Sequence, residues 1–473
     1  MSLPLLIILV YIVLLFAISF WAKKRSSGCA ENYSLAGRQL STPLIAVSII
    51  GLAVGGASTI GVSEHAFRVG ISAGWYTIAW GIGAITMGVL LAKKYRQQNI
   101  TTISELIEKH HDKKAVVLGV ICQIVIQMVI ISLQYIAGGS ILHALLPEIF
   151  DLKTGMIVSA IVFIGITFIG GMWSASLSNI LNIVLIYGGI TLATFTQTNN
   201  LGGLQNITLA LPQNVPWFDP IAGVGLKGIF SWIVVMVTVN LSLQSIIQIS
   251  LGAKDEATSK KGFIIGGILM IPIGFMAALL GVCAKAVHPE LTPAVALPQV
   301  IMQLEPLLAG ITLAALWAAD VSTACNLLLS AATLFAKDIY KGFLKPDTDD
   351  LTLQKIMRYA VLAVGIFTFG IALSVSGIIP TIMAGLSLTA AFSVIVLVAL
   401  FAPEKTSINA GFYTLLVGLI VLVVWQTVPS VRLLPHVIYA EWLFCSITYA
   451  VVAKFDTVKA NKGAELLATD NIE

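Results

Sequence analysis

Residues 317–326 read WAADVSTACN, inside an apolar run from about Pro306 to Phe335. A carboxylate (Asp320), two hydroxyls (Ser322, Thr323) and an amide (Asn326) stand where hydrocarbon would be expected. Ionisable groups at such depth mark ion pathways, proton relays or binding sites, because Asp costs roughly 2.5–3.5 kcal/mol at the centre of an inserted helix. Ser and Thr have a plainer role, a bond back to the carbonyl four residues earlier. That role does not account for Asp320 and Asn326 beside them. At 100° per residue, Ser322 shares a face with Ala319 and Asn326, while Asp320 lies about 160° from Ser322 and about 60° from Thr323. Asp320 therefore need not touch what Ser322 touches.

A second stretch, GLAVGGASTIG at 51–61, places Gly51, Gly55, Gly56 and Gly61 within eleven residues of another apolar run. Each interior Gly costs about 1 kcal/mol of helix propensity relative to Ala. Close packing through small residues is one reading. The other is a broken helix whose freed carbonyls face a cavity, and Gly55-Gly56 followed by Ser58-Thr59 favours it. A hard cation such as Na⁺ takes several oxygen ligands. Two hydroxyls on one helix and carbonyls from an unwound partner supply them without a full charge.

These residues need a frame that holds them at mid-membrane, and the composition provides one. Apolar types make up 58% of the 473 residues and charged types 11%, against about 25% charged in soluble chains; mean hydropathy is +0.95. This is an all-α polytopic membrane protein whose surroundings are the lipid bilayer. Thirteen runs have helix-spanning length: 3–22, 43–62, 73–92, 115–145, 155–171, 176–195, 226–247, 262–285, 307–335, 356–376, 379–401, 408–428 and 434–453. The first lacks the basic start and cleavage site of a signal peptide. With the N-terminus outside, 22 of the 27 Lys and Arg fall on the inner side, as the positive-inside rule requires. The expectation is a plasma (inner) membrane protein with its C-terminus in the cytoplasm. No Walker A pattern and no basic stripe with interleaved aromatics is present, which argues against ATP-driven transport and nucleic-acid binding. Cys29, Cys122, Cys283, Cys325 and Cys445 are scattered, and read as small hydrophobes rather than metal ligands. No metal other than Na⁺ and no cofactor is expected.

The ordered motifs are similar to those of the sodium:solute symporter family. NYSLAGRQLS (32–41), TTISELIEKHH (101–111), GGMWSASLSNILN (170–182), QSIIQISLGAKDEATSKKG (244–262) and AADVSTACNLLLSAATLFAKDIYK (318–341) carry the resemblance from about residue 32 to 343. VGGASTIGVSEHAF (54–67) looks nearest the choline-transporter branch. The resemblance implies a LeuT-type 5+5 inverted repeat. One transporter domain would hold an extra N-terminal span at 3–22, repeats at 43–195 and 226–401, two C-terminal spans at 408–453 and a tail at 454–473. It also implies a sodium site on the carbonyls of Gly51, Val54 and Ala319 and the hydroxyls of Ser322 and Thr323, in a functional monomer.

The sequence departs from the family pattern at informative places. Ser178-Asn179 stands where many members have Thr-Asp, and Cys325 and Asn326 where some have further hydroxyls or an Asp. A second ion site there would be degenerate, so one Na⁺ per cycle is expected. Asp320 replaces a usually apolar residue, which keeps a proton-coupled carrier with Asp320 as titrating group as the alternative. A transporter-like sensor is a third reading, weakened by the end of the chain at Glu473 without a signalling domain; an enzyme is not expected. Candidate solute-lining residues are Ala57, Ser58, Thr238, Asn240 and Gln244, with Trp75, Tyr76, Trp80 and Trp232 nearby. The solute would be a small quaternary amine, amino acid or carboxylate.

Overall fold

The protein is described by a computed structural model over residues 3–374 and 378–456. Residues 457–473 of the expected tail lie outside the described residues. In chain order the principal helices are α1 (Leu3–Ser26), α2 (Thr42–Ala53), α3 (Ala57–Val69), α4 (Trp75–Leu90), the short helix α5 (Ile103–Glu108), α6 (Lys113–Leu145) and α7 (Leu152–Asn200). They continue as α8 (Gly225–Ser242), α9 (Gln244–Leu251), α10 (Glu256–Val287), α11 (Pro306–Leu334), α12 (Asp350–Ala372), α13 (Ile378–Ser387), α14 (Thr389–Phe401), α15 (Ala410–Thr427) and α16 (Val437–Phe455). Among the described residues the only β contact is an isolated bridge between Leu40 and Ala253.

Local chemistry sets where the long helices begin. Asp112, Asp151, Asp255 and Asp349 each accept a bond from the amide three residues on, and so cap α6, α7, α10 and α12. An Asp N-cap satisfies a donor the helix leaves free, and typically stabilises by about 1 kcal/mol. Apolar composition then carries each helix across the bilayer. Among the described residues eleven helices are long and apolar enough to span, or twelve with α2 and α3 taken as one span bent by 58°.

α7 has 49 residues, about 73 Å at 1.5 Å per residue, more than twice a hydrocarbon core. It is a hairpin. Gly171 breaks the helical backbone with φ 53° and ψ −141°. Partners along α1 prove the reversal. Tyr11 bonds to Asn182 and Ser19 to Ser174, so the second half runs backwards along α1. Gly165 faces Phe16 and Gly170 faces the Ser19 carbonyl, so the first half runs forwards. With α7 counted as two passes, each of the thirteen apolar runs has a helical counterpart.

At the centre stands α11, in which every residue from Thr312 to Leu334 is buried. It packs on α7, α6, α1 and α2. Among the described residues two spans are interrupted, α2/α3 and α8/α9, where Leu243 is extended (φ −75°, ψ 127°). Each opens one of the expected five-span repeats.

Gly171 needs a backbone conformation that L side chains rarely adopt, and a Cβ there would run into the Tyr33 carbonyl and ring. Gly188 is helical and has nothing within 4 Å of an added Cβ. Gly171→Ala should therefore lower the thermal midpoint in detergent and the yield of folded protein, by strain of about 1–3 kcal/mol or more. Gly188→Ala should be neutral or stabilising by up to about 1 kcal/mol.

Candidate ion and solute site

The break between α2 and α3 starts at Val54, whose backbone leaves the helix at φ −92° and ψ 70°. A helix that stops leaves its last carbonyls without their helical partners, and no water is available in the hydrocarbon region. Here hydroxyls take them. Thr323 shares its proton between the Gly51 and Leu52 carbonyls, each at 3.0 Å. The Ser58 hydroxyl donates to the Ala53 carbonyl at 2.6 Å. On the far side of the break, the Gly56 amide donates to Gln134 Oε1 on α6 at 2.7 Å.

The double glycine has a steric cause. A Cβ on Gly55 would collide with the Thr323 hydroxyl and Gln134 Oε1, and one on Gly56 with the Asp320 carboxylate and Ala137. Thr323 and Asp320 thus reach the break side by side, as their 60° offset on the helix allows. Asp320 is fully buried, and neither carboxylate oxygen has a hydrogen-bond partner. Ser322 donates to the Ala319 carbonyl at 2.8 Å. Of the five residues expected to hold sodium, Gly51 and Thr323 are directly bonded across two spans, Ala319 and Ser322 are bonded within one turn, and Val54 sits at the break. Apart from Asp320 these groups are neutral oxygens, the donor set a small hard cation takes.

A small cavity of about 10 Å³, room for about one water molecule, adjoins the break, and Ala57, Gly55, Thr323, Gln134, Tyr76 and Trp80 are on its wall. The Tyr76 hydroxyl and the Trp80 indole N–H lie beside one another, and neither has another partner. Above Tyr76 the aromatic contacts continue to Trp232 and from there to His65, at centroid distances of 6.0 and 5.6 Å.

The other solute candidates lie elsewhere. Ser58 is spent on the Ala53 carbonyl. Thr238 accepts from Trp442 Nε1 at 2.9 Å and donates to the Val234 carbonyl. Asn240 bonds back to the Met236 carbonyl and crowds Gly83. Gln244 accepts from the Ile103 amide and donates to the Thr101 carbonyl, fastening α9 to α5. That end is further closed by a Lys337–Glu105 ion pair of 2.5 Å and a bond from the Thr102 hydroxyl to Asp338. Trp75 reaches the Pro220 carbonyl.

Among the residues expected to mark a lost second ion site, Asn179 fills the space a Cβ on Gly51 would need, and it takes a bond from Asn182. Cys325 turns its thiol to the Phe163 carbonyl, Asn326 bonds back to the Ser322 carbonyl, and the Ser178 hydroxyl is unpartnered. These four do not converge on one point through any of these bonds. Sequence reading missed Gln134, whose signal was an amide inside the apolar run 115–145. It also missed Glu441, a fully buried carboxylate that accepts from Ser387 at 3.2 Å, away from the break.

Known proteins resemble this arrangement over most of its length. A model of the sodium:solute symporter family matches residues 33–418. A sodium/glucose cotransporter of Vibrio parahaemolyticus is 24% identical over 78% of this chain and 74% of its own. A sodium/proline symporter of Staphylococcus aureus is 26% identical over 89% of this chain and 85% of its own. Among solved structures, a Na⁺-coupled sialic acid symporter superposes with TM-score 0.79 at 16% identity, covering 97% of this chain and 99% of that one. A nucleobase-cation-symport-1 family transporter superposes at 0.63 and 13%, covering 90% and 95%. At such identities these two establish the shared all-α, LeuT-type fold.

The Thr323 hydroxyl can be removed at nearly constant shape. Thr323→Val leaves the Gly51 and Leu52 carbonyls unpaired, and a buried unsatisfied group costs about 1–3 kcal/mol. The thermal midpoint in detergent should fall even without any ion or solute, whereas Thr323→Ser should keep most of it.

Proposed function

The chain belongs to the sodium:solute symporter family, a family of transporters rather than enzymes, and from that premise we propose that it imports a small organic solute on the inward sodium gradient. The cycle is alternating access with one Na⁺ per turn, in a monomer that needs no cofactor beyond that ion. The observation that carries this reading is the Thr323 hydroxyl seated on the carbonyls of a broken partner helix. Na⁺ would take over those oxygens, with Gly51, Val54, Ala319, Ser322 and Thr323 as its ligands. Gly55 and Thr323 also border the cavity, so an ion that fixes the break fixes a wall of the solute site. Linkage makes the effect reciprocal: solute raises sodium affinity by the factor that sodium raises solute affinity.

The side chains that line this small space point to the chemistry of a compact solute. The aromatic faces suit an apolar or cationic body, and the Tyr76 hydroxyl and Trp80 indole N–H, with no partner beyond one another, offer a donor to an acceptor oxygen. An amino acid or small carboxylate fits this better than a simple quaternary amine, and the likeness to sodium/proline symporters agrees. The protein is a multi-pass membrane protein; the uneven Lys and Arg distribution supports placing it in the plasma (inner) membrane with its N-terminus outside.

One observation favours a second reading, proton coupling through Asp320. Its carboxylate is buried beside Gly56 without a single bonded partner, and an unpaired buried charge is far more costly than a neutral acid.

Uptake of radiolabelled amino acids, carboxylates and quaternary amines into proteoliposomes separates the readings. Wild type should accumulate solute only with an inward sodium gradient, and Ser322→Ala should cut that uptake at least tenfold. For a neutral solute the charge-to-solute ratio should be one; a ratio of two overturns the single ion. Asp320→Asn should leave sodium-driven uptake within about threefold. Sodium-free uptake that rises with acidity, and is lost in Asp320→Asn, establishes the proton carrier instead.

A further inference from the structure

α6 meets both broken spans, and it meets them with the same kind of side chain. Gln134 accepts from the Gly56 amide in the first break. Gln123 spans the second: its Nε2 donates to the Ser242 carbonyl at 2.9 Å, and its Oε1 accepts from the Gln244 amide at 3.2 Å. A primary amide offers a carbonyl and an N–H in one plane, as a peptide group does, so Gln123 takes the place of the missing helical partner on both sides of Leu243. Both glutamines are buried. They are eleven residues apart, close to three full turns, so they share one face of α6 about 16 Å from each other. Ile130 lies on that face between them and borders the cavity with Gln134, Gly55 from the first break and Leu243 from the second. α6 runs unbroken for 33 residues without an interior proline.

We infer that this face of α6 is a splint that sets the two broken helices relative to one another, with Gln123 and Gln134 as positioning residues for transport. Neither is needed as an ion ligand. Each satisfies backbone groups that the membrane leaves without water, and each fixes its break to the same rigid rod. Loosening one break should then be felt at the other, across the cavity. The consequence for transport, a weaker sodium site when the solute-side break is loosened, rests on the sodium reading above.

Hydrogen exchange on the full chain in lipid nanodiscs, without sodium, tests the splint independently of that reading. Gln123→Asn keeps a polar group but is one methylene too short to bridge Ser242 and Gln244. Exchange should rise in peptides covering 240–247 and, by roughly threefold or more, in those covering 50–62 as well. Gln127→Asn is the control, because Gln127 lies on the same face and bonds only to the Gln123 carbonyl of its own helix; it should leave 50–62 unchanged. Acceleration confined to 240–247 overturns the inference, as does an equal response to Gln127→Asn. If Gln123→Asn gives no folded protein, Gln134→Asn read at 240–247 makes the same decision. Uptake then tests the consequence: the sodium half-saturation of Gln123→Asn should rise roughly threefold or more. Wild-type uptake indifferent to sodium removes the sodium reading and leaves the exchange result standing.

Discussion

A helix that ends inside hydrocarbon must find partners for its loose carbonyls, and Thr323 is where this one finds them. Unpaired backbone groups there cost several kcal/mol each, so the interruption of α2/α3 can exist only where other spans supply donors and acceptors. The neighbourhood follows from that need. Gly55 and Gly56 carry no side chain because Thr323, Gln134 and Asp320 must come close. α11 is buried along its length because it supplies the hydroxyl, and α6 stands against the break because it supplies the amide. The oxygens that satisfy the backbone at the break are those proposed above as sodium ligands.

This economy also places the cavity. Two helices that both break at mid-membrane expose flat backbone rather than bulky side chains, and the space between them is filled from outside by Tyr76 and Trp80. The walls are neutral, so a charged solute would gain its electrostatic stabilisation from backbone dipoles, aromatic faces and the coupling ion. In the proposed solute site, specificity would come from shape and from the indole and phenol donors, which penalise a solute that leaves them unpaired.

Much of this was legible in residue types and spacing. The thirteen apolar runs and the break at Gly55-Gly56 needed only hydropathy and the cost of glycine in a helix. The pairing of Thr323 with Gly51 was implied by the family resemblance, and helical angles alone set Asp320 beside Thr323. What failed was phase. Thr238, Asn240 and Gln244 were candidates on the run 226–247, read as one continuous span. Thr238 and Asn240, on α8, turn to Trp442 and Gly83, and the extended Leu243 resets the rotation of α9 so that Gln244 reaches α5 instead of the cavity. Gln123 and Gln134 escaped notice for a different reason. An amide in an apolar run signals only that a partner exists, and here the partners are backbone groups 78 and 119 to 121 residues away in the chain.

Gly171 has a kinematic consequence. The two halves of α7 are joined by one residue, whose conformation is fixed by the Tyr33 carbonyl and ring against it. A joint with no spare chain has no slack, so neither half can slide or tilt without carrying the other. The hairpin is also keyed to α1 at Asn182 and Ser174. Any rocking that opens the cavity to one side and then the other has to treat these three passes as a fixed frame. The displacement must be taken up across their packing against α11 and α2, and in the joints that have chain to spare.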